Sequence, residues 1–439
     1  MLLVMARIAH QGSRLSAVRW AEQQAAAEVL GLEPFDEDDL YAALDWLAEQ
    51  QAVIEQRLYS GYVKKRGRPP ALVLYDVTSS YLEGERNELA AFGYDRDGKR
   101  GKQQIVIGLL TADDGEPLAV RVFAGNTADP STVMEQIQLL KTRFKVGEVV
   151  VVGDRGMIKA KGKAALSAEG WKYITALTNA QIRTLLKEGV LQPDLFDSPL
   201  CEVEHEGRRL ILRRNEAVRA REQKRAADKI AQLQAKIAAR NAFVSQSKRA
   251  DPHAGLAQLQ QWAKRHRLSA FVTLALVERM IQCTIDEAAQ VDSALLDGCY
   301  TLETTVSRAA MAPATVDARY RDLQQVERNF RHLKTGFLEV RPIFLRNANR
   351  TRAHVFVAML ALKLTRVFED RLQKVFGTTA EDPKNLTLDD ALTALSRITY
   401  LYYTVNGQQV ARLPRPDKLQ QSVFAALGIT LPRSTATVM

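Results

Sequence analysis

Residues 148–157, E-V-V-V-V-G-D-R-G-M, constrain this chain more than any other stretch. Val149 to Val152 form a β-branched run too short for a buried helix, so the run predicts a strand covered on both faces. Gly153 ends it. Asp154 then stands where a parallel strand delivers a side chain to the carboxyl edge of its sheet. Taken alone, such an Asp is better explained as a cap for the Lys-rich helical segment that follows Arg155 and Gly156. Its meaning depends on what the rest of the chain brings to it.

With 439 residues and 46% hydrophobic content the chain can bury a large core. Lys and Arg outnumber Asp and Glu by 61 to 51, a net charge of +10. That excess favours a polyanionic partner, nucleic acid ahead of a membrane surface, with a soluble basic enzyme as the plainer alternative. Cys201, Cys283 and Cys299 lie far apart without a C-x-x-C pair, which argues against a disulfide framework or a zinc site and fits a reducing cytosol. No apolar run approaches a membrane span. The expectation is a cytoplasmic, nucleoid-associated protein with no membrane partner.

In chain order, 1–60 reads as helices, one ended by Gly31 and the next starting after E-D-D with Leu40, Leu44, Leu47 and Ile54 at helical spacing. Lys64 to Pro70 reads as a charged linker or a phosphate-contacting arm. Strands follow at 71–78, with Asp76 near the end, and at Q-Q-I-V-I-G-L-L-T and P-L-A-V-R-V-F-A-G, a hairpin joined by D-D-G-E. A helix to Phe144, the valine strand, another helix and W-K-Y-I-T-A-L complete a β-β-β-α-β-α-β series. The fold class predicted is α/β, a ribonuclease-H-like mixed sheet flanked by helices. An insertion then brings a β-hairpin (200–213) and a charged helix (216–242) whose Ile230, Leu233 and Ile237 pair with Leu256, Leu259 and Trp262. One helix is expected from Pro313 to Lys334, and A-H-V-F-V-A-M-L-A-L-K-L must be buried all round. The domains expected are an N-terminal helical module with its linker (1–68), the first part of the core (69–190), the insertion (191–300), the second part of the core with the Glu327 helix (301–375) and a helical C-terminal region (376–439).

Three acids stand in telling places. Asp76 belongs to the first strand, Asp154 follows the fourth, and Glu327 lies on the 313–334 helix, where Tyr320, Glu327 and Lys334 recur every seven residues on one face. Phe330, Leu333 and Phe337 form the buried stripe beside them. A core edge with a surface ion pair is the usual fate of such residues. If the first and fourth strands are neighbours, however, the acids converge, and clustered carboxylates repel unless cations neutralise them. Oxygen-only ligands select Mg²⁺ or Mn²⁺, and two such ions about 4 Å apart can activate a nucleophile and stabilise a leaving oxygen at a phosphodiester. A chain with six His suits so metal-centred a scheme.

The set Y-D-V-T-S-S-Y-L-E-G, G-N-T-A-D, V-V-G-D-R-G-M and Y-x₆-E-x₆-K, followed by R-P-I and His354, resembles the DDE transposases of bacterial insertion sequences, and more narrowly the insertion-sequence-four family, over roughly residues 70–360. The resemblance implies Asp76, Asp154 and Glu327 as catalytic metal ligands and Tyr320 and Lys334 as contacts to terminal DNA phosphates. It implies double-stranded DNA, at terminal inverted repeats and target, as partner, and a homodimer in the synaptic complex. Arg155, Arg321, Arg331 and Arg341 are further candidates for DNA contact, with Arg346 and Arg350 behind them. Asn126 and Thr127 form a turn that would orient a metal-bound water. His354 reads as a core or capping residue. The chain departs from the family's Y-x₂-R-x₃-E-x₆-K at Leu323, which stands where the Arg belongs. The function implied is metal-dependent cleavage at element ends and strand transfer into target DNA. The alternatives are a DNA-binding remnant or repressor without transposition, and a ribonuclease-H-like nuclease.

Overall fold

The structure, a computed structural model, describes residues 1–430 apart from 85, 100, 156, 248, 335–337, 342, 378–385, 400 and 406–407. Gly156, Phe337 and the Pro342 of R-P-I therefore lie outside the described residues. The chain opens with α1 (Leu2–Ala9), α2 (Arg14–Glu22), α3 (Ala26–Leu30) and α4 (Glu37–Arg66). There follow β1 (Leu72–Tyr81), β2 (Gln104–Ala112), β3 (Pro117–Ala124), α5 (Asp129–Thr142), β4 (Val150–Gly153), α6 (Ala160–Ala168), β5 (Lys172–Ala176) and α7 (Asn179–Lys187). Next come β6 (Cys201–His205), β7 (Arg208–Arg214), α8 (Glu216–Gln246), α9 (Pro252–Arg265), β8 (Val272–Val277), β9 (Met280–Ile285), α10 (Glu287–Ala294), β10 (Cys299–Thr304) and α11 (Pro313–Arg321). The chain continues with α12 (Leu323–Lys334), α13 (Ala348–Phe376), α14 (Leu388–Ser396), β11 (Leu401–Val405), β12 (Gln408–Arg412) and α15 (Lys418–Leu427). Helices and strands alternate through most of it, an α/β protein.

Contacts divide the chain into two units, Met1–Val152 with Ala160–Trp171 and Arg321–Met439, and Gly153–Lys159 with Lys172–Tyr320. In the first unit the strand order is β3-β2-β1-β4. The β1–β2 and β2–β3 pairs are antiparallel, with Asp76 opposite Leu109. β1 runs on to Tyr81, past the expected end at residue 78, so Asp76 sits mid-strand. Ser79 and Ser80 are both buried and paired with Val106 and Ile105 in the ladder.

Helices close this unit. α4 starts at a capping box of Asp36 and Asp39, so the E-D-D acids form its first turn rather than precede it. Its last turn holds Lys64, Lys65 and Arg66, which suit the negative end of the helix dipole, so the supposed linker is half helical; Gly67 ends it at φ 74°. Leu40 and Leu44 are buried. The helix expected to run to Gly31 breaks into α2 and α3, with Gly31 the C-cap as predicted. α13 packs on α1, α4 and β3 and buries Ala353 through Met359 together with Ala361 and Leu362, the all-round burial expected of it. The C-terminal region is not wholly helical: β11 and β12 form an antiparallel hairpin.

In the second unit the order is β5-β10-β7-β6, with β10 antiparallel to β5 and to β7. The 200–213 hairpin thus extends a sheet rather than standing apart. α8 and α9 pair as expected, through Leu233, Ile237 and Leu259 with Ile230, Leu256 and Trp262 around them. This cluster includes β8, the strand-like F-V-T-L-A-L-V segment, and β9; they form a hairpin whose turn is Glu278-Arg279, non-glycine residues at φ 45° and 69° that carry no turn signal.

Candidate active site

In the first unit α12 packs on β1. Alternation along β1 puts Asp76 and Thr78 on one face. On α12, Glu327, Phe330, Arg331 and Lys334 follow the i, i+3, i+4, i+7 rule and share one side. The two faces meet at a cavity of about 350 Å³ lined by Asp76, Val77, Thr78, Arg96, Asp97, Glu327, Phe330, Arg331, Lys334 and Arg341. Asp76, Glu327, Lys334, Arg331 and Arg341, chosen from the sequence, are therefore brought together. Behind them Leu323, Val326, Phe330 and Leu333 anchor α12 in the core.

The polar order in this cavity centres on a residue that sequence reasoning missed. One oxygen of Asp97 lies 2.5 Å from Lys334 Nζ and 2.7 Å from Arg341 Nη1, and the Asp97 side chain is only 3% exposed. Lys334 Nζ also donates to Thr78 Oγ1 at 2.7 Å. Burial pulls the Lys334 ammonium below the usual lysine range, and the Asp97 carboxylate opposes that fall. Arg96 pairs with Asp129 at the N-terminus of α5. Asp97 lies in a polar loop with no periodicity, where only its tertiary partners mark it.

The second unit places the remaining candidates. Tyr320 Oη donates to Asp154 Oδ1 at 3.0 Å. The Asp154 backbone carbonyl accepts from Met157 N at 3.1 Å and Thr175 Oγ1 at 3.2 Å. Arg155 Nη1 donates to Asn179 Oδ1 at 3.4 Å. α11, which carries Tyr320, is fixed through buried Asp317, whose carboxylate accepts from Arg213 Nη1 at 2.5 Å and from the Tyr300 hydroxyl.

The single helix expected from Pro313 to Lys334 is absent; the chain breaks at Asp322. Arg213 and Tyr300 hold α11 through Asp317, whereas α12 follows the packing of its own apolar face on β1, and the two demands fall in different units. Tyr320 therefore lies on α11 while Glu327 and Lys334 lie on α12, so the seven-residue spacing does not run along one continuous helix. Arg321 is the exposed last residue of α11. Leu323, where the resemblance led one to expect an Arg, is 7% exposed and belongs to the apolar anchor of α12.

Other candidates resolve in structural terms. Thr127 N donates to Ala124 O in a turn, and Arg350 makes a two-pronged pair with Asp45. His354 is buried, with Nε2 on the Val340 carbonyl at 3.1 Å and Nδ1 facing Arg14 Nη2 at 2.6 Å. Among the described residues no three His, Cys, Asp or Glu side chains are grouped closely enough to hold a metal ion. Asp76 and Glu327 supply carboxylates to the cavity with no nitrogen or sulfur ligand beside them, donor chemistry that suits a hard divalent ion. No helix of the described residues is long and apolar enough to cross a membrane.

Among solved structures the chain is similar to the piggyBac transposase in a synaptic complex with hairpin DNA, at 8% identity and a TM-score of 0.37 over 83% of this chain and 73% of that one. It is also similar to the Mos1 transposase in a paired-end complex with the left transposon end, at 10% identity and a TM-score of 0.18, and to a pre-cleavage Mos1 transpososome, at 11% and 0.18. Each Mos1 match spans 37% of this chain and 58% of the other. No curated protein matches. The family model described as the transposase DDE domain matches residues 67–364, the span from the end of α4 through the acid-bearing β1 and α12 into α13. The chain belongs to the DDE transposase domain family.

Proposed function

We propose that this chain is a DNA transposase of the insertion-sequence-four kind, on a ribonuclease-H-like core, which cleaves the ends of its element and joins them to target DNA. The observation that carries the reading is the cavity in which Asp76 and Glu327 face Arg96, Arg331, Lys334 and Arg341. Carboxylates beside a cationic rim suit a phosphodiester whose reacting centre needs divalent ions and whose flanking phosphates need counter-charge.

In this reading Asp76, Asp154 and Glu327 hold two Mg²⁺ or Mn²⁺ ions. The ions supply Lewis acidity at the scissile phosphate. Lys334, Arg331 and Arg341 take the non-reacting phosphate oxygens and orient the backbone, while Arg155 and Arg321 steady DNA further along. Tyr320, whose hydroxyl donates to Asp154, contacts a terminal phosphate of the DNA. Cleavage and joining are both in-line displacements at phosphorus, so one set of side chains serves both. Two ends must be handled together, which calls for a homodimer in the synaptic complex. A protein that acts on chromosomal DNA would do so in the cytoplasm, at the nucleoid.

The test incubates the full chain with a duplex copied from the DNA flanking its gene, with and without Mg²⁺. The expected result is Mg²⁺-dependent release of a 3′-OH at the end and, with a target plasmid, a joined product. Cleavage without joining identifies a ribonuclease-H-like nuclease instead. A second reading, a DNA-binding repressor without chemistry, is favoured by Leu323, because a buried leucine cannot grip the phosphate that the family's Arg would. Binding of the same duplex without cleavage at any Mg²⁺ or Mn²⁺ concentration would establish it.

A further inference from the structure

The cavity's third carboxylate, Asp97, belongs to none of the roles above. Its surroundings are those of a fixed part: Oδ1 bridges Lys334 Nζ and Arg341 Nη1, Oδ2 accepts from the Tyr81 backbone N–H at 3.2 Å, and its own N–H is tied to Asp95 Oδ1 at 3.0 Å. The Arg341 guanidinium lies 5.8 Å from the centroid of the Tyr81 ring, so residues of β1 support both the acid and one of its cations.

We propose that Asp97 is a positioning residue that sets Lys334 and Arg341 as a single fork for one backbone phosphate. The inference rests on reading the cavity as a phosphodiester site. An ammonium has three donors; Thr78 and Asp97 engage two and fix the direction of the third. Arg341 meets Asp97 through Nη1, and the rest of its planar donor set serves a phosphate with two parallel bonds. Bridging by one oxygen also holds the like-charged cations together, which they would not do unaided.

A competing role is that of a stand-in for phosphate, which DNA must displace. Burial argues against it. Swinging the carboxylate away would leave Lys334 and Arg341, 12% and 19% exposed, without their counter-charge, and would break the Tyr81 bond. The carboxylate stays, and the phosphate adds to the fork.

The experiment measures binding of a fluorescent duplex, copied from the DNA flanking the gene, to the full chain in EDTA at several KCl concentrations. Asp97→Asn keeps the shape and removes the charge. Positioning predicts affinity about tenfold weaker, the loss of about one charge-assisted contact, and a salt dependence shallower by about one phosphate. Unchanged or tighter binding overturns the proposal, as does weaker binding with an unchanged salt slope, the mark of a general loss of folded protein. Should Asp97→Asn not fold, the Asp97→Asn/Lys334→Met pair removes both charges together. The proposal expects that double variant to bind as Lys334→Met alone does, and a further tenfold loss contradicts it. Wild-type protein with no salt-dependent binding to the duplex would sink the phosphodiester reading itself, a separate failure.

Discussion

Two regions carry the proposed functional side chains, and they are built differently. Around β1 and α12 the polar groups are half-buried and interlocked, Lys334 with Thr78 and Asp97, Asp97 with Arg341 and Tyr81. At the Asp154 carboxylate the hydroxyl of Tyr320 donates in an exposed setting. Water competes freely with an exposed hydrogen bond, whereas a buried network loses heavily when one member goes. The first region is therefore preorganised by the protein, and the Tyr320–Asp154 bond is the weaker constraint of the two.

That contrast can be broken or sharpened by substitution. The largest effect is expected at the acids. Asp76→Ala, Asp154→Ala and Glu327→Ala should each lower Mg²⁺-dependent cleavage by about a thousandfold or more, since residues acting as one unit fail together. Full activity in any one would remove that acid from the catalytic set, and a loss confined to Asp76 and Glu327 would leave the first region working alone.

Leu323→Arg comes next. An arginine here puts a guanidinium into the apolar anchor of α12, and thermal unfolding should show a loss of about 3 kcal/mol. A variant of wild-type stability with tighter DNA binding would show that α12 can turn its face to the phosphate.

A smaller effect tests how firmly the first unit keeps charge out of its core. Burial, with Arg14 and Arg7 nearby, holds the His354 imidazole well below its ordinary range. Above the unfolded histidine pKa of about 6.5 the ring is neutral in folded and unfolded chains alike. Below it only the unfolded chain takes up the proton, so stability falls as pH falls, by up to about 1.4 kcal/mol per pH unit from this group, until the folded pKa is reached. Denaturant unfolding of wild type against His354→Asn should show the difference shrinking through that window, and parallel pH profiles would contradict it.

The smallest effect belongs to the second region. Tyr320→Phe removes a solvent-exposed bond to Asp154, which is worth about 1 kcal/mol or less. Stability should hardly move, and cleavage should fall about threefold to tenfold as Asp154 loses its orienting partner. A salt slope shallower by one phosphate in the same variant would place Tyr320 on DNA instead.

The contrast also explains which parts were legible in the sequence. Asp76 and Thr78 follow strand alternation, and Glu327, Arg331 and Lys334 follow helix periodicity, so regular geometry projects them into one cavity. The break between α11, which carries Tyr320, and α12 was not legible, because the tertiary ties of Asp317 to Arg213 and Tyr300 lie more than 15 residues away in sequence and no Gly or Pro marks Asp322. Asp97 was illegible for another reason. A loop residue has no period, and its partners come from β1, α12 and the segment beyond it. Turn chemistry set similar limits elsewhere: Gly31 and Gly67 end helices in the left-handed region as glycines do, while Glu278-Arg279 turns a hairpin without a glycine.

The central claim is that Asp76, Asp154 and Glu327 act as one ligand set for divalent ions at a scissile phosphate. Its most direct test is a structure of the full chain bound to its flanking duplex with Ca²⁺, an ion that takes carboxylate oxygens at about 2.3–2.6 Å. The account predicts ions bound by oxygens of all three residues beside the terminal phosphate, with Lys334 and Arg341 on its flanking oxygens. Ions bound elsewhere, or a DNA end seated away from Asp76 and Glu327, would contradict it.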